Sequence, residues 1–264
     1  APLVIVSVLI ASRGYNALQD QSVDFQDELA HRTSLELEAF FNERQVELTV
    51  LTDVYGIDTQ SSTDQRDILL TLLSEQPAYY QLVLADATGQ ETLRITRGEV
   101  ITDNDLVNRA DDPLLQETIE TRQVNFGSVY FNEVARDRLV TIASPIEDLF
   151  TGDIGTVLIA EVRFQNVSEA VLRNLNLADG DDIYVLSSDG TVLAHRDPSL
   201  VIDGATFAVP EDEGRQTGLN DTDVVLATDT VQLPSQELIV VAETSYDNAI
   251  ALANDLATIS ALIT

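Results

Sequence analysis

The sequence has no cysteine and only two histidines, His31 and His195. Without Cys there are no disulfides, reactive thiolates, iron–sulfur clusters or cysteine-ligated zinc ions. A zinc site or a Ser–His–Asp triad is also not expected, because such sites need His residues and the only two are far apart in the chain. We therefore expect no metal, no cofactor and no catalytic activity in this chain.

Lysine is absent as well, so all 14 basic residues are Arg, and 45 acidic residues bring the formal charge to −31. Nucleic acids and anionic lipid surfaces are bound through clustered cations, which this composition lacks. Both are therefore excluded as partners. The apolar fraction of 44% is high enough for the chain to fold around a core.

Methionine is missing too, and we interpret the chain as a piece of a longer protein. Leu3 to Ala11 is an unbroken run of apolar and small residues, too short to cross a bilayer by itself. We interpret residues 1–21 as a trimmed transmembrane stub and leader, with a buried strand or a signal-peptide core as alternatives. Residues 245–264 predict a helix that leads to a second span, or else a plain amphipathic helix. The two ends suggest an extracytoplasmic domain anchored in the cell membrane by its flanking helices.

One long helix is predicted for residues 22–56, because neither Pro nor Gly occurs from Ser22 to Tyr55. Such a helix either packs along its own domain or pairs with a second copy, which would make the full-length protein a homodimer. Its apolar stripe consists of Leu37, Phe41, Leu48, Leu51 and Tyr55, with Arg44 at the intermediate position.

After a shorter helix from Asp64 to Ser74, the pattern changes to that of an antiparallel sheet. Tyr79–Ala85 and Glu91–Thr96 flank a turn that ends in Gly89, which is typical of a β-hairpin. A short helix begins at Asp112 and is followed by more strands. These are predicted at 123–131, 138–144 and 154–161, with a loop at 145–152.

The same hairpin pattern recurs later in the chain. Ile183–Ser187 and Thr191–His195 flank a turn in which Ser188 aligns with Asp86. The fold class is therefore α+β, with a long helix followed by two similar subdomains, each with a central antiparallel sheet. The first spans residues 57–162, a helix at 163–177 connects them, and the second spans 178–244. Its last two strands are predicted at 224–230 and 238–244.

Three segments resemble a known family: GSVYFNEVARDRLVTIASPI (127–146), GDIGTVLIAEVRF (152–164) and DDIYVLSSDGTVLAHRDPSLV (181–201). They are similar to the double Cache (tandem PAS-like) sensor modules of bacterial and archaeal receptors. The resemblance covers about residue 22 to residue 264. It implies an extracytoplasmic domain between two membrane spans, with a small-molecule pocket in the first, membrane-distal subdomain. Binding would be transmitted to a histidine kinase, a nucleotide cyclase or a chemotaxis-type output.

Amino-acid-binding members of that family carry an R-x-W-Y signature and an Asp on the last distal strand. Arg122 stands at the place of the Arg, and Glu161 stands at the place of the Asp. The resemblance thus implies an Arg that clamps a carboxylate and an acid that meets an ammonium group. Val124 and Asn125 replace the two aromatic residues, which argues against an α-amino-acid ligand.

The candidate ligand-binding residues lie on the central strands of the first subdomain, and we expect the ligand to be a small molecule with a carboxylate or an amine. For each Arg, the alternative is a structural salt bridge. The alternative function is a dimerisation or protein-interaction module whose vestigial pocket is filled by its own side chains. The six candidates are Arg122, Tyr130, Asn132, Arg138, Ser144 and Glu161.

Other motifs favour structural roles. The D-x-T-G sequence at 86–89 predicts a turn. His31 is expected to be solvated on the long helix, and His195 ends a strand. The acidic clusters at 179–182 and 220–223 lack the ligand spacing of an EF-hand and indicate solvated surface.

Overall fold

The computed structural model describes residues 2–148, 151–167, 171, 172, 175 and 177–251. The predicted long helix is confirmed and starts earlier than expected: α1 runs from Pro2 to Thr49 and ends in a π-helical turn, Val50–Val54. The apolar run at 3–11 is thus part of α1. Among the residues described, no helix combines the length and apolar character needed to cross a membrane.

The first antiparallel sheet is built from strands between Tyr79 and Arg163, and helix α2 (Ser62–Glu75) precedes it. Helix α3 (Pro113–Thr121) begins as predicted, with the Asp112 side chain accepting from the Leu114 amide at 3.0 Å. The strand order is β2-β1-β6-β5-β3, with β4 also paired to β5. The strands are β1 (Tyr79–Asp86), β2 (Glu91–Thr96), β3 (Asn125–Phe126), β4 (Tyr130–Asn132), β5 (Asp137–Glu147) and β6 (Ile154–Arg163).

Two boundaries in this sheet differ from the prediction. The strand expected at 123–131 is two short strands, β3 and β4. The loop expected from Pro145 starts later, because β5 continues through Pro145 to Glu147. The Thr141 carbonyl accepts from the Gly127 amide, so the backbone groups of Thr141 point toward the β3 side. Residues an even number of positions apart in a strand point their backbone groups to the same side, so those of Pro145 also point there. β3 pairs only as far as Ala143, so the missing N–H of Pro145 costs no ladder bond.

The second sheet repeats the first, with the order β8-β7-β11-β10-β9. The hairpin and the last two strands are confirmed, whereas β9 and α5 were not predicted. The sequence of β9, Gly-Arg-Gln-Thr, has no apolar alternation to reveal a strand. The elements are β7 (Asp181–Ser187), β8 (Val192–His195), α5 (Pro198–Ile202), β9 (Gly214–Thr217), β10 (Asp223–Leu233) and β11 (Gln236–Ser245).

The two predicted helices at the ends of the second subdomain are described only in part. The connecting helix is present as α4 (Phe164–Val167), and the last helix as α6 (Tyr246–Ala249). The rest of the predicted C-terminal helix, from residue 252 on, lies outside the described residues, as do 168–170, 173, 174 and 176 of the connecting helix.

Helix α1 packs along its own domain and crosses both sheets. Leu37, Phe41 and Leu48 of the predicted stripe are fully buried, in one apolar cluster with residues of both subdomains. Arg44 is also buried and lies over the Phe40 ring, with Glu47 at 3.0 Å. Tyr55, the last residue of the stripe, is exposed. The helix therefore ties the two subdomains into one core.

The two hairpin turns are built from equivalent hydrogen bonds. The Gly89 amide donates to the Asp86 carbonyl, and the Gly190 amide donates to the Ser187 carbonyl, both at 2.9 Å. Asp86 therefore corresponds to Ser187, one position before the Ser188 that the sequence comparison aligned with it. The match extends to the following loops, because Gly89 accepts from Arg109 and Gly190 accepts from Phe207.

Gly89 is required at the first of these turns. Its φ is +86°, and a Cβ built there would lie 2.4 Å from the Ala110 nitrogen. Gly152 also has a positive φ, +72°, but nothing lies within 4 Å of its Cβ position. We expect Gly89→Ala to lower the free energy of unfolding by about 3 kcal/mol and Gly152→Ala by about 1 kcal/mol, because only the first adds a backbone clash to the strain. Urea denaturation measures both, and equal losses would contradict the account.

Candidate functional site

The first sheet has one face against α1 and one face against α3 and the loop that precedes it. Apolar residues on the second face form a separate small cluster around Leu115. The direct pairs Gln81–Glu161 and Thr141–Glu161 place Glu161 on this second face, because paired residues share a face. This is the surface on which the candidate site is built.

An ion network anchors the loop at 97–112 to this face. The Glu91 side chain is completely buried and accepts from the guanidinium groups of Arg94 and Arg109, the latter at 2.6 Å. It also accepts from the Val107 amide at 3.1 Å. Sequence reasoning missed all three charged residues. Arg94 could have been found from its position between Leu93 and Ile95, because alternate residues of a strand share a face and Arg94 therefore lies on the face opposite these two apolar residues.

Glu161 is the other acid on this face, and it is 8% exposed. No Arg or His lies within ion-pair distance of it among the described residues. Burial raises its pKa, while the Tyr130 hydroxyl and the more distant Arg109 and Arg94 oppose the rise. The pKa of Tyr130 is raised in turn, first by burial and then by the Glu161 carboxylate. A buried carboxylate without an ion-pair partner is a natural acceptor for a small cation.

Three of the six predicted site residues come together here: Tyr130, Asn132 and Glu161. The Asn132 side chain accepts from the amides of Val134 at 3.0 Å and Ala135 at 2.9 Å, which closes the turn after β4. The Asn132 side chain lowers the pKa of Tyr130, which is two residues away on the same face of β4.

The structure places the other three elsewhere. Arg122, at the left-handed end of α3, points outward and donates to Glu147 at 2.8 Å and to the Gly152 carbonyl at 2.7 Å. Ser144 pairs with Leu158 on the face toward α1. Arg138 donates to the Val192 carbonyl at 3.0 Å, so it joins the two subdomains. The structure therefore brings three of the six candidates together and places the other three apart from them.

Arg122 gives a direct check on this placement. We expect Arg122→Ala to change the affinity of a solute bound at Glu161 less than about twofold, because its guanidinium is half exposed and already paired with Glu147. Titration calorimetry of the wild type and the variant measures this. A loss of tenfold or more would restore Arg122 as a ligand-binding residue.

The second subdomain has an acid at the equivalent position. Glu243 pairs with Asp182 on β7, as Glu161 pairs with Gln81 on β1. Here the Tyr184 hydroxyl donates to Glu243 at 2.9 Å. Burial raises the pKa of Glu243. This equivalent place is therefore filled by the protein's own tyrosine.

The remaining motifs have structural roles. Asp86 accepts from the Thr88 and Gln90 amides, so D-x-T-G is a turn. His195 is buried, bonds Asp182 at 3.0 Å and accepts from the Asp197 amide at 2.8 Å. His31, expected to be solvated, is exposed but lies 2.8 Å from Asp229, which raises its pKa. Within the described ranges, no group of three or more His, Asp or Glu side chains is arranged to hold a metal.

Comparison with known proteins identifies the family. The family model described as Cache domain matches residues 14–253. The chain belongs to the Cache domain family. This is a non-catalytic sensor fold, and its tandem form matches the two sheets, the long helix and the resemblance noted in the sequence. The comparison with curated proteins gave no match.

Solved ligand-binding domains of chemoreceptors share this fold at low identity. The chain is similar to the ligand-binding domain of the Pseudomonas aeruginosa PAO1 chemoreceptor PctB with L-Arg: 17% identity, TM-score 0.65, covering 86% of this chain and 97% of that one. The ligand-binding domain of the Pseudomonas fluorescens chemoreceptor CtaA with L-isoleucine has 16% identity and a TM-score of 0.64, and the match covers 90% of this chain and 98% of that one. The ligand-binding domain of PctC of Pseudomonas aeruginosa PAO1 with GABA has 13% identity and a TM-score of 0.62, and the match covers 82% of this chain and 96% of that one.

Proposed function

We propose that this Cache domain is the extracytoplasmic sensor of a transmembrane receptor and binds a small amine in its membrane-distal subdomain. The observation that carries the proposal is the buried Glu161, which has no ion-pair partner in the part of the chain that the structure describes. The ligands named for the similar structures, L-Arg, L-isoleucine and GABA, all contain an amino group. An ammonium group on Glu161 would supply the missing countercharge.

The arginines of this face support an amine more than a free carboxylate. Arg94 and Arg109 already share the buried Glu91, and Arg122 points away from the face. A ligand carboxylate would have to compete with Glu91 for the two guanidinium groups. An ammonium group would meet no competing cation at Glu161 among the described residues. We therefore place the ligand against Glu161 and Tyr130, with Asn132 as a positioning residue.

Signalling would pass through the flanking helices to a cytoplasmic output domain, for which we propose a histidine kinase. Helix α1 packs on both sheets. A ligand-induced shift of the first sheet would therefore be passed along α1 to the second sheet. Ligand binding would bias one arrangement of this helix over another.

A thermal-shift screen of amines, amino acids, carboxylic acids and neutral solutes tests the proposal. A ligand held at about 100 times its dissociation constant adds about 2.7 kcal/mol, which raises the melting temperature by a few degrees. We expect shifts with amines and none with carboxylic acids that lack an amine. Shifts confined to carboxylic acids, or absent with every class over a range of salt concentrations, would refute the amine sensor.

A second role, homodimerisation through α1, is favoured by an exposed apolar stripe on the helix and its π-helical turn. From Leu35 on, its members are 11, 4 and 4 residues apart, close to whole turns of helix, whereas Phe25 precedes Leu35 by 10 residues and is offset to one side. Leu35 and Val46 lie opposite the buried stripe that packs on the sheets. The exposed side chains are Phe25, Leu35, Val46, Val50 and Val54.

We expect the double variant Leu35→Glu, Val46→Glu to convert a dimer into a monomer, because it places four like charges in a two-fold apolar interface. Sedimentation velocity over a range of concentrations measures the oligomeric state. Leu70→Glu is the control, because Leu70 is exposed on α2, outside the stripe. A wild type that stays monomeric at about 100 µM would contradict this role for the domain alone. A dimer with a Kd of that size has a free energy of association of only about 5 kcal/mol.

A further inference from the structure

A groove lies between α1 and the second subdomain, where the start of β7 pairs with the end of β11. Its volume is about 550 Å³. Sites for small molecules usually measure about 300–1,000 Å³, so the groove has the size of a binding site. Phe25 and Gln26 of α1 line one wall, and Asp179 and Asp181 line the other. The groove is separate from the proposed amine site, which lies on the first sheet.

Gln26 is the buried polar residue of this groove. It is 1% exposed, and its side-chain Oε1 atom has no hydrogen-bond partner among the described residues. Buried amide oxygens are normally bonded, because an unpaired one has given up its bonds to water without a replacement. The wall of the groove therefore holds an unused acceptor, which a bound donor would satisfy.

The groove is also negatively charged. Asp179 and Asp181 are its charged residues, and no Arg or His is among the described residues that line it. Neither acid forms an ion pair with an Arg or His in the described part of the chain. The groove thus presents two negative charges and favours a positively charged occupant.

The acceptors suit an ammonium group better than a metal ion. Asp181 already accepts from the Thr244 hydroxyl at 2.6 Å and from the Ala178 amide at 3.3 Å. A calcium ion takes about six to eight oxygen ligands, and the groove has only two carboxylates to offer. An ammonium group has about three N–H donors, a number that Gln26 and the two carboxylates can accept.

The rest of the lining suits the carbon chain of an amine. The Phe25 side chain is 60% exposed and lines the groove together with Ala178 and Ala249. These side chains offer apolar surface to an alkyl group, and an aromatic ring also attracts a cation through its face. An alkylammonium ion has both features, an apolar body and a charged end that donates hydrogen bonds.

We propose that this groove binds a primary alkylammonium ion, whose N–H groups donate to Gln26 Oε1 and whose charge is balanced by Asp179 and Asp181. The site is independent of the proposed amine site at Glu161. Ala249 belongs to α6, so the occupant contacts α1 and α6 at the same time. Binding would therefore hold α1 against the end of the second subdomain.

The test is an NMR titration of the labelled chain with butylammonium chloride. We expect saturable shifts of the Ala178 and Asn248 amides, both at the groove. Gln26→Leu removes the acceptor and should weaken the apparent affinity by about tenfold or more. Gln26→Glu adds a negative charge at the same place and should tighten binding by a similar factor. Gln45→Leu, on α1 but outside the groove, is the matched control and should leave the affinity unchanged.

Asp179→Asn is a second variant that tests the site if Gln26→Leu does not fold. Asp179 is exposed, so its replacement leaves the packing of the subdomain intact. We expect this variant to weaken binding by about threefold or more, because it removes one of the two countercharges.

Five results would overturn the proposal. Equal shifts with butanol would show that the groove accepts neutral solutes, and equal shifts with sodium chloride would show an inorganic cation or simple screening. Equal shifts with tetramethylammonium, which has no N–H group, would show that Gln26 accepts no hydrogen bond from the ligand. Unchanged affinity in both Gln26→Leu and Asp179→Asn would place the effect outside the groove. Loss of the Ala178 and Asn248 shifts in Glu161→Gln would assign them to the other site.

Discussion

Replacing Glu91 with glutamine is expected to lower the free energy of unfolding by about 3–5 kcal/mol, the largest loss we expect from a single isosteric change. The Glu91 side chain is fully buried and serves two guanidinium groups and the Val107 amide. Glutamine keeps the shape but removes the charge, which leaves Arg94 and Arg109 without their common partner. Urea denaturation monitored by circular dichroism measures the loss.

Glu147→Gln is the matched control for this prediction. Glu147 also pairs with an Arg, at 2.8 Å, but both side chains of that pair are more than half exposed. Exposed pairs contribute about 0–1 kcal/mol, so the control should lose no more than that. Similar losses for the two variants would mean that the Glu91 network does not anchor the loop.

Replacing Glu161 with glutamine is expected to stabilise the protein at neutral pH and to weaken the binding of amines at this site. Burial raises the folded-state pKa of Glu161 above its usual value of 4.5. A raised carboxyl pKa favours folding below about pH 4.5, and that contribution is lost as the pH rises through the folded-state pKa. Glutamine does not ionise, so the gain in the urea midpoint should appear above that window and vanish below it.

The same substitution should weaken amine binding by about thirtyfold or more, because it removes one partner of a buried charge pair. Glu243→Gln is the control at the equivalent position of the second sheet, where burial also raises the pKa. It should leave amine binding unchanged. Loss of binding in both variants, or a Glu161→Gln protein that binds amines as the wild type does, would contradict the assignment.

The elements with strong local signals were predictable from the sequence. Both hairpins were marked by an apolar strand on each side of a turn that ends in Gly89 or Gly190, and the turn chemistry is local. The long helix was marked by the absence of Pro and Gly. The alignment of Asp86 with Ser188 was one residue off, because the turns were matched by composition and not by their hydrogen bonds.

The candidate site was predicted only in part, because it depends on long-range geometry. Arg122 stands next to the strand that the resemblance assigns to the pocket, yet its left-handed backbone, with φ of 56°, accompanies a side chain that points outward. Arg109 sits in a loop with no periodicity, so nothing local shows that it meets Glu91 across the hairpin. Ser144 and Glu161 lie on different strands, so their opposite faces follow only from the register of β5 and β6, which no local pattern sets.

Comparison of the two subdomains indicates why only one of them is proposed to bind a ligand. Glu161 and Glu243 occupy the same register position, but the tyrosine that meets each acid comes from a different place. Tyr184 comes from the central hairpin and is fully buried, whereas Tyr130 comes from the short strand β4 and is partly exposed. The acid of the second sheet thus meets a fully buried tyrosine from a central strand, whereas the acid of the first sheet meets a tyrosine from a short strand.

The most direct test of the central claim is the pKa of Glu161, followed by the carbon-13 shift of its carboxyl group from about pH 3 to about pH 9, with and without a saturating amine from the thermal-shift screen. Our account predicts a pKa above 4.5 in the free protein, from burial, and a clear fall when the amine is bound, from the new ion pair. A pKa that is unchanged by a bound amine would contradict the claim that Glu161 holds the ligand.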